Sequence, residues 1–228
     1  DRARLVRERL GPDLGAPVLL PLAEGEADGR SYAVYPYCKP AARAGLAAKL
    51  QAPRLRPLVT GWLAAATEAT ARPADPQRIP GAFREPLEQL AANPGMAAPV
   101  RAAAERALGR LASGAWQPRH AVMHGDFWLG NVLFTQDPAR TDRFRRIAII
   151  DWPGASTEGY GLYDLVRLAM SMKLSPGALR AQAARHARAL GCDPGDARSH
   201  LVAALADLGT HLGHFPPDRY AALAARCL

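Results

Sequence analysis

Apolar and polar positions along the chain alternate between two periods, and the change of period divides it into stretches. Residues 1–10, DRARLVRERL, carry a helical spacing that stops before Gly11-Pro12. The segment APVLLPLAEGEADGRSYAVYPYC then predicts two strands around a turn. Val18 to Leu22 is apolar, Asp28-Gly29 is a tight-turn pair, and Ser31 to Tyr37 is rich in β-formers. From Pro40 the pattern becomes Ala- and Leu-rich. It predicts helices over Ala41–Leu50, Leu55–Ala71, Phe83–Ala92 and Ala97–Ala112, broken by Pro and Gly, with 72–81 as a Pro-rich loop.

Strand character returns in the middle. Ala121 to Met123 leads into a polar loop and Asn131 to Phe134 leaves it, a pattern that reads as a β-hairpin. QDPARTD is a turn, and Arg145 to Asp151 is a buried strand ending in a carboxylate. A polar loop follows. Leu162, Leu165, Val166, Ala169 and Met172 then repeat with helical spacing, and the remainder to Leu228 is helical. A small β-containing segment, a helical block, a polar-loop hairpin and a helical end together predict an α+β fold.

Composition narrows the classes. The chain has 228 residues, 49% of them hydrophobic, enough for a sizeable core. No apolar run has the length of a membrane span, and no signal segment opens the sequence, so the expectation is a cytoplasmic protein with no membrane partner. Cys38, Cys192 and Cys227 are odd in number and irregular in spacing, which argues against a disulfide framework or a zinc site. His211 and His214 stand three apart but lack a third ligand. The net charge is +8, and the only lysines are Lys39, Lys49 and Lys173. The arginines are spread along Ala-rich helices rather than clustered, so they read as solvated faces and not as a nucleic-acid surface.

The chemistry concentrates in AVMHGDFWLGNVLF, Ala121 to Phe134. Asp126 starts a tight loop, Asn131 opens the next strand, and Asp151 ends a later one. Neighbouring strands would bring all three to one sheet end. Oxygens from Asn131 and Asp151 suit Mg²⁺, which takes few protein ligands. Asp126 would remain to accept a hydroxyl proton. This is the division of labour in phosphoryl transfer, where positioning and charge neutralisation supply most of the rate.

HGDFWLGN followed by IIDW, and later GYGLYDL, resembles the aminoglycoside phosphotransferase and choline kinase-like family of the protein-kinase-like superfamily. The resemblance implies a bilobal α+β fold with a truncated N-terminal lobe and a mostly helical C-terminal lobe. Residues 1–38 would be the remainder of the small lobe and the hinge, and 39–228 the helical lobe with its catalytic loop. It implies Asp126 as catalytic base, Asn131 and Asp151 as Mg²⁺ ligands, and His124, Gly125 and Asp164 as loop support. Tyr35, Pro36 and Cys38 would form the hinge that meets ATP. The implied activity is ATP-dependent phosphorylation of a hydroxyl on a small-molecule acceptor. Neither a Gly-rich loop nor a strand Lys occurs before residue 39, so those strands are expected upstream of Asp1. The alternative is a nucleotide-binding pseudokinase or regulatory protein without transfer activity. The net charge tilts the acceptor away from a polycation, toward a neutral or anionic molecule such as a sugar or phosphorylated metabolite.

Overall fold

A computed structural model describes residues 2–42, 45–135, 143–213 and 215–228. The expected QDPARTD turn and His214 lie outside the described residues. Helix α1, Arg2–Leu14, kinks at Gly11 (φ 74°), where the helical pattern was expected to stop. Strands β1, Ala23–Ala27, and β2, Arg30–Val34, form an antiparallel hairpin in which Ala27 pairs with Arg30. Asp28 (φ 50°) and Gly29 (φ 72°) make the left-handed turn the sequence announced. The expected strand at Val18–Leu22 is displaced. Residues 17–19 instead run beside a later strand, with Ile149 donating to the Pro17 carbonyl at 2.7 Å and accepting from Leu19 at 3.1 Å.

After β3, Lys39–Pro40, a single helix α2 spans Gly45–Thr70, where two helices were expected. Pro53 and Pro57 lie within it. A buried stripe of Leu55, Val59, Trp62, Leu63 and Ala66 holds this helix against the core despite the missing N–H groups. Trp62 also donates its indole N–H to the Leu14 carbonyl at 2.9 Å, fastening α1 to α2. Strand β4 is Arg72–Pro73, and a π-helical turn at Pro80–Arg84 precedes α3, Glu85–Ala92, and α4, Ala98–Ala112.

The remaining strands are β5, Arg119–Met123; β6, Val132–Phe134; β7, Ile147–Ile149; and β8, Ser156–Tyr160. They form two three-stranded antiparallel sheets, ordered β3-β6-β7 and β4-β5-β8. The expected hairpin is therefore corrected: β5 and β6 flank the polar loop but belong to different sheets. The chain crosses from one sheet to the other through residues 124–131, which puts that loop between the two sheets. Helices α5, Tyr163–Ser171; α6, Pro176–Leu190; α7, Ala197–Thr210; and α8, Pro217–Cys227 complete the chain. Helices α3, α4 and α7 pack together, and Phe83, Trp116 and His200 fill the space among them.

Candidate active site

The crossing loop is held from several directions. Gly125 sits at φ 87°, and a Cβ there would come within 2.5 Å of the Gly154 carbonyl oxygen, so only glycine fits. His124 is buried, with its ring centroid 4.4 Å from that of Trp152 and 5.5 Å from that of Phe127. Its Nε2 lies 2.9 Å from the Ile150 carbonyl and its Nδ1 lies 3.3 Å from the Asp126 N–H. That pair of contacts assigns the tautomer: Nε2–H donates and Nδ1 accepts. His124 thus ties the loop to the residue that precedes Asp151.

Helix α5 grips the same loop through three polar side chains on one face. Asp164 accepts the N–H groups of His124 (2.6 Å) and Gly125 (3.1 Å). Arg167 Nη2 meets Asp126 Oδ1 at 2.6 Å. Ser171 Oγ accepts the Leu129 N–H at 3.0 Å. These positions are i, i+3 and i+7, a single helical stripe. Burial pushes the Asp164 carboxyl above the ordinary carboxylate range, although the facing His124 and the two N–H donors pull the other way. Burial also opposes the charge on Arg167, but its hydrogen bond to Asp126 leaves the guanidinium above its ordinary value.

Asn131 is buried, and its side-chain nitrogen donates to the Asp126 carbonyl at 3.0 Å, which turns its amide oxygen away from that bond. The Asn131 carbonyl accepts from the Ile150 N–H at 3.1 Å, extending the ladder in which Val132 faces Ile149. Asn131 and Asp151 therefore leave the same end of the β6–β7 pair. Asp151 is exposed and holds φ 69°, a conformation L-residues adopt at some cost. Among the described residues its carboxylate has no hydrogen-bond partner. A side-chain oxygen on Asn131 and an open carboxylate on Asp151 fit the sparse oxygen set that Mg²⁺ accepts. No group of three or more His, Cys, Asp or Glu placed for a metal occurs among the described residues.

Tyr35, Pro36 and Cys38 line a cavity of about 900 Å³ together with Leu133, Ile150 and Asp151. The structure thus brings the expected hinge residues and Asp151 to one cavity. It brings His124, Gly125, Asp126, Asn131 and Asp164 to one loop. Asp126 and Asn131 do not line the cavity; Ile150, which does, is bonded to both His124 and Asn131 and so links the two groups. Sequence reasoning missed Arg167, Ser171 and Leu133. The signal for the first two was present: in YDLVRLAMS, Asp164, Arg167 and Ser171 form a polar stripe at helical spacing on an apolar helix. Leu133 carried no such signal, being one apolar strand residue among many.

The sequence model of the phosphotransferase enzyme family matches residues 3–219. Among solved structures, the chain is similar to the crystal structure of a thermostable mutant of aminoglycoside phosphotransferase APH(4)-Ia in its apo form. The two share 19% sequence identity and a TM-score of 0.52, over 99% of this chain and 80% of that one. At that identity the likeness shows the fold, which is α+β and protein-kinase-like. No curated protein matches the sequence. No helix among the described residues is long and apolar enough to cross a membrane.

Proposed function

This chain belongs to the phosphotransferase enzyme family, and from that premise we propose that it transfers the γ-phosphoryl group of ATP to a hydroxyl of a small molecule. The family and the fold support a kinase-type enzyme. The finer reading rests on one observation. A single run of bonds joins the backbone of the loop residue Asp126 to the cavity: the Asn131 side chain donates to the Asp126 main-chain carbonyl, and the Asn131 carbonyl accepts from Ile150, next to Asp151. Asp151 in turn opens onto the cavity walled by Tyr35, Pro36 and Cys38.

On this reading residues 1–38 are the remainder of a small lobe with its hinge, and 39–228 form the helical lobe. Adenine lies against the backbone of Pro36 and Cys38 beside Tyr35. Asn131 and Asp151 would hold Mg²⁺, which supplies neutralisation of phosphate charge when bound. Asp126, half exposed, orients the acceptor hydroxyl and takes its proton. A P–O bond forms to the acceptor as the bond to the β-phosphate oxygen breaks, and ADP leaves with that electron pair. His124, Gly125 and Asp164 keep the loop in register.

The test is Asp126→Asn. The variant is expected to melt as the wild type does and to lose about 10²–10⁴-fold in turnover, measured as ADP formed across a panel of hydroxyl acceptors. Retained turnover would remove Asp126 from the base role. Wild-type protein that binds ATP but forms no ADP with any acceptor would favour the binding-only alternative.

A further inference from the structure

Two of the three lysines in this chain line one small cavity. Lys49 of α2 and Lys173, just past α5, surround about 190 Å³ with Arg56, Gln51, Leu129 and Ser171. Among the described residues no carboxylate lines it. The presentation of Lys173 is built: its backbone is held at φ 52°, a conformation that favours glycine, and Arg56 Nη2 donates to the neighbouring Met172 carbonyl at 3.0 Å. The cavity also adjoins the loop. Leu129 follows Asp126 by three residues and is bonded to Ser171, which stands four residues after Arg167, the partner of Asp126. Ser171 lines the cavity and stands one helical turn along α5 from Arg167, so the cavity and the loop carboxylate are served by the same helix.

We propose that this cavity receives a phosphate monoester carried by the acceptor. The inference rests on the reading of Asp126 as base and deepens it by naming the substrate class. Three cations without an acid call for more than the single charge of a carboxylate, and a phosphate monoester is close to a dianion at neutral pH. Two ammonium groups, with the N–H groups of Arg56 that are not bonded to Met172, match its three equivalent oxygens. The volume is below the roughly 300–1,000 Å³ of pockets that enclose a whole ligand, so it takes one group while the rest reaches toward Asp126. The acceptor is then a sugar or polyol phosphate with a free hydroxyl several bonds from its phosphate, and the product is a bisphosphate. The docked phosphate is unchanged in the reaction. The bond that breaks is in ATP, the bond that forms is on the distant hydroxyl, and its proton goes to Asp126.

The experiment pairs kinetics with binding. Turnover is compared for sugar phosphates, for the same sugars without phosphate, and for the matching sugar acids. Sugar phosphates are expected to exceed both others in kcat/KM by about 100-fold, the value of two charged hydrogen bonds. Lys49→Ala/Lys173→Ala is expected to raise KM for the phosphorylated acceptor by a similar factor, with ADP affinity unchanged. Inorganic phosphate, titrated with the nucleotide site filled by ADP, should bind the wild type and not the double variant. Equal use of unphosphorylated sugars, or preference for sugar acids, overturns the proposal, as does phosphate binding that survives the double substitution. Asp126→Asn separates the two readings. If it stays active, the base assignment fails, while phosphate binding at Lys49 and Lys173 is still decided by the titration.

Discussion

The carboxylate of Asp126 has a guanidinium on it, and that contact shapes what the residue can do. The side chains of Arg167 and Asp126 are 28% and 49% exposed. A pair this wet contributes little to folding, about 0–1 kcal/mol. Its consequence is geometric: a flexible two-torsion carboxylate is held in one direction from the polar stripe of α5. Arg167→Ala is therefore expected to leave the urea midpoint nearly unchanged. It should lower kcat/KM by about 10–100-fold through lost orientation. Arg167→Lys should recover only part of this, because an ammonium supplies the charge without the planar fork. Equal kcat/KM for Arg167→Ala and wild type would make the contact incidental. Gly125 shows a different kind of constraint. The HGD tripeptide marks it as a turn residue, but its need for φ 87° and the approach of Gly154 depend on a segment about thirty residues away.

At the scale of elements, α5 acts as a clamp with three contacts along one stripe. Ser171 is the outermost, and it also donates to the Leu168 carbonyl at 2.8 Å. Ser171→Ala leaves the Leu129 N–H without its acceptor at a half-buried site, a loss of about 1 kcal/mol in stability. The expected signature is faster amide exchange at Leu129 with His124 and Gly125 still protected, because Asp164 holds those two independently. Uniform deprotection of the whole loop would show that the clamp works as a unit rather than contact by contact. The elements also show why some of the fold was legible and some was not. The HGDFWLGN and IIDW motifs that point to the family are local, and so are the Asp28-Gly29 turn and the helical period of α5; all were readable. Sheet partners are not local. The apolar flanks of the loop fit a hairpin as well as two separate sheets, and only pairing of β6 with β3 and β7 decides between them. Ser156–Tyr160 reads as a polar loop because STEGY lacks alternation; it becomes strand β8 by pairing with His120 and Ala121. Pro53 reads as a helix breaker between two helices, and the burial of Trp62 and its neighbours on the same helix overrides it.

At the scale of the molecule, the helical core encloses two histidines that the site does not use. His200 is fully buried; its Nε2 accepts the Trp116 indole N–H at 3.1 Å, and among the described residues its Nδ1 has no hydrogen-bond partner. His186 is equally buried, its Nδ1–H donating to the Gln182 carbonyl at 2.9 Å. Burial depresses both, His200 to about 3 and His186 to about 4. Depressed values mean that the fold favours the neutral rings. Their contribution is fully present above the unfolded value near 6.5 and is lost as pH falls toward 4 and then 3. Between those limits the unfolded chain takes up one proton per histidine that the fold refuses. Each therefore removes about 1.4 kcal/mol per pH unit. At pH 4.5 the two together remove about 5 kcal/mol, the size of the whole stability of many domains. Unfolding free energy from urea melts is expected to be flat from pH 8 to 7 and to fall steeply below 6. His200→Gln keeps an acceptor for Trp116 but cannot protonate, so its slope below pH 6 should be shallower than that of the wild type by about 1.4 kcal/mol per pH unit, whatever its stability at pH 7. An unchanged slope would show that His200 does not carry its share of the proton linkage, and the acid sensitivity of the fold would then lie in the carboxylates.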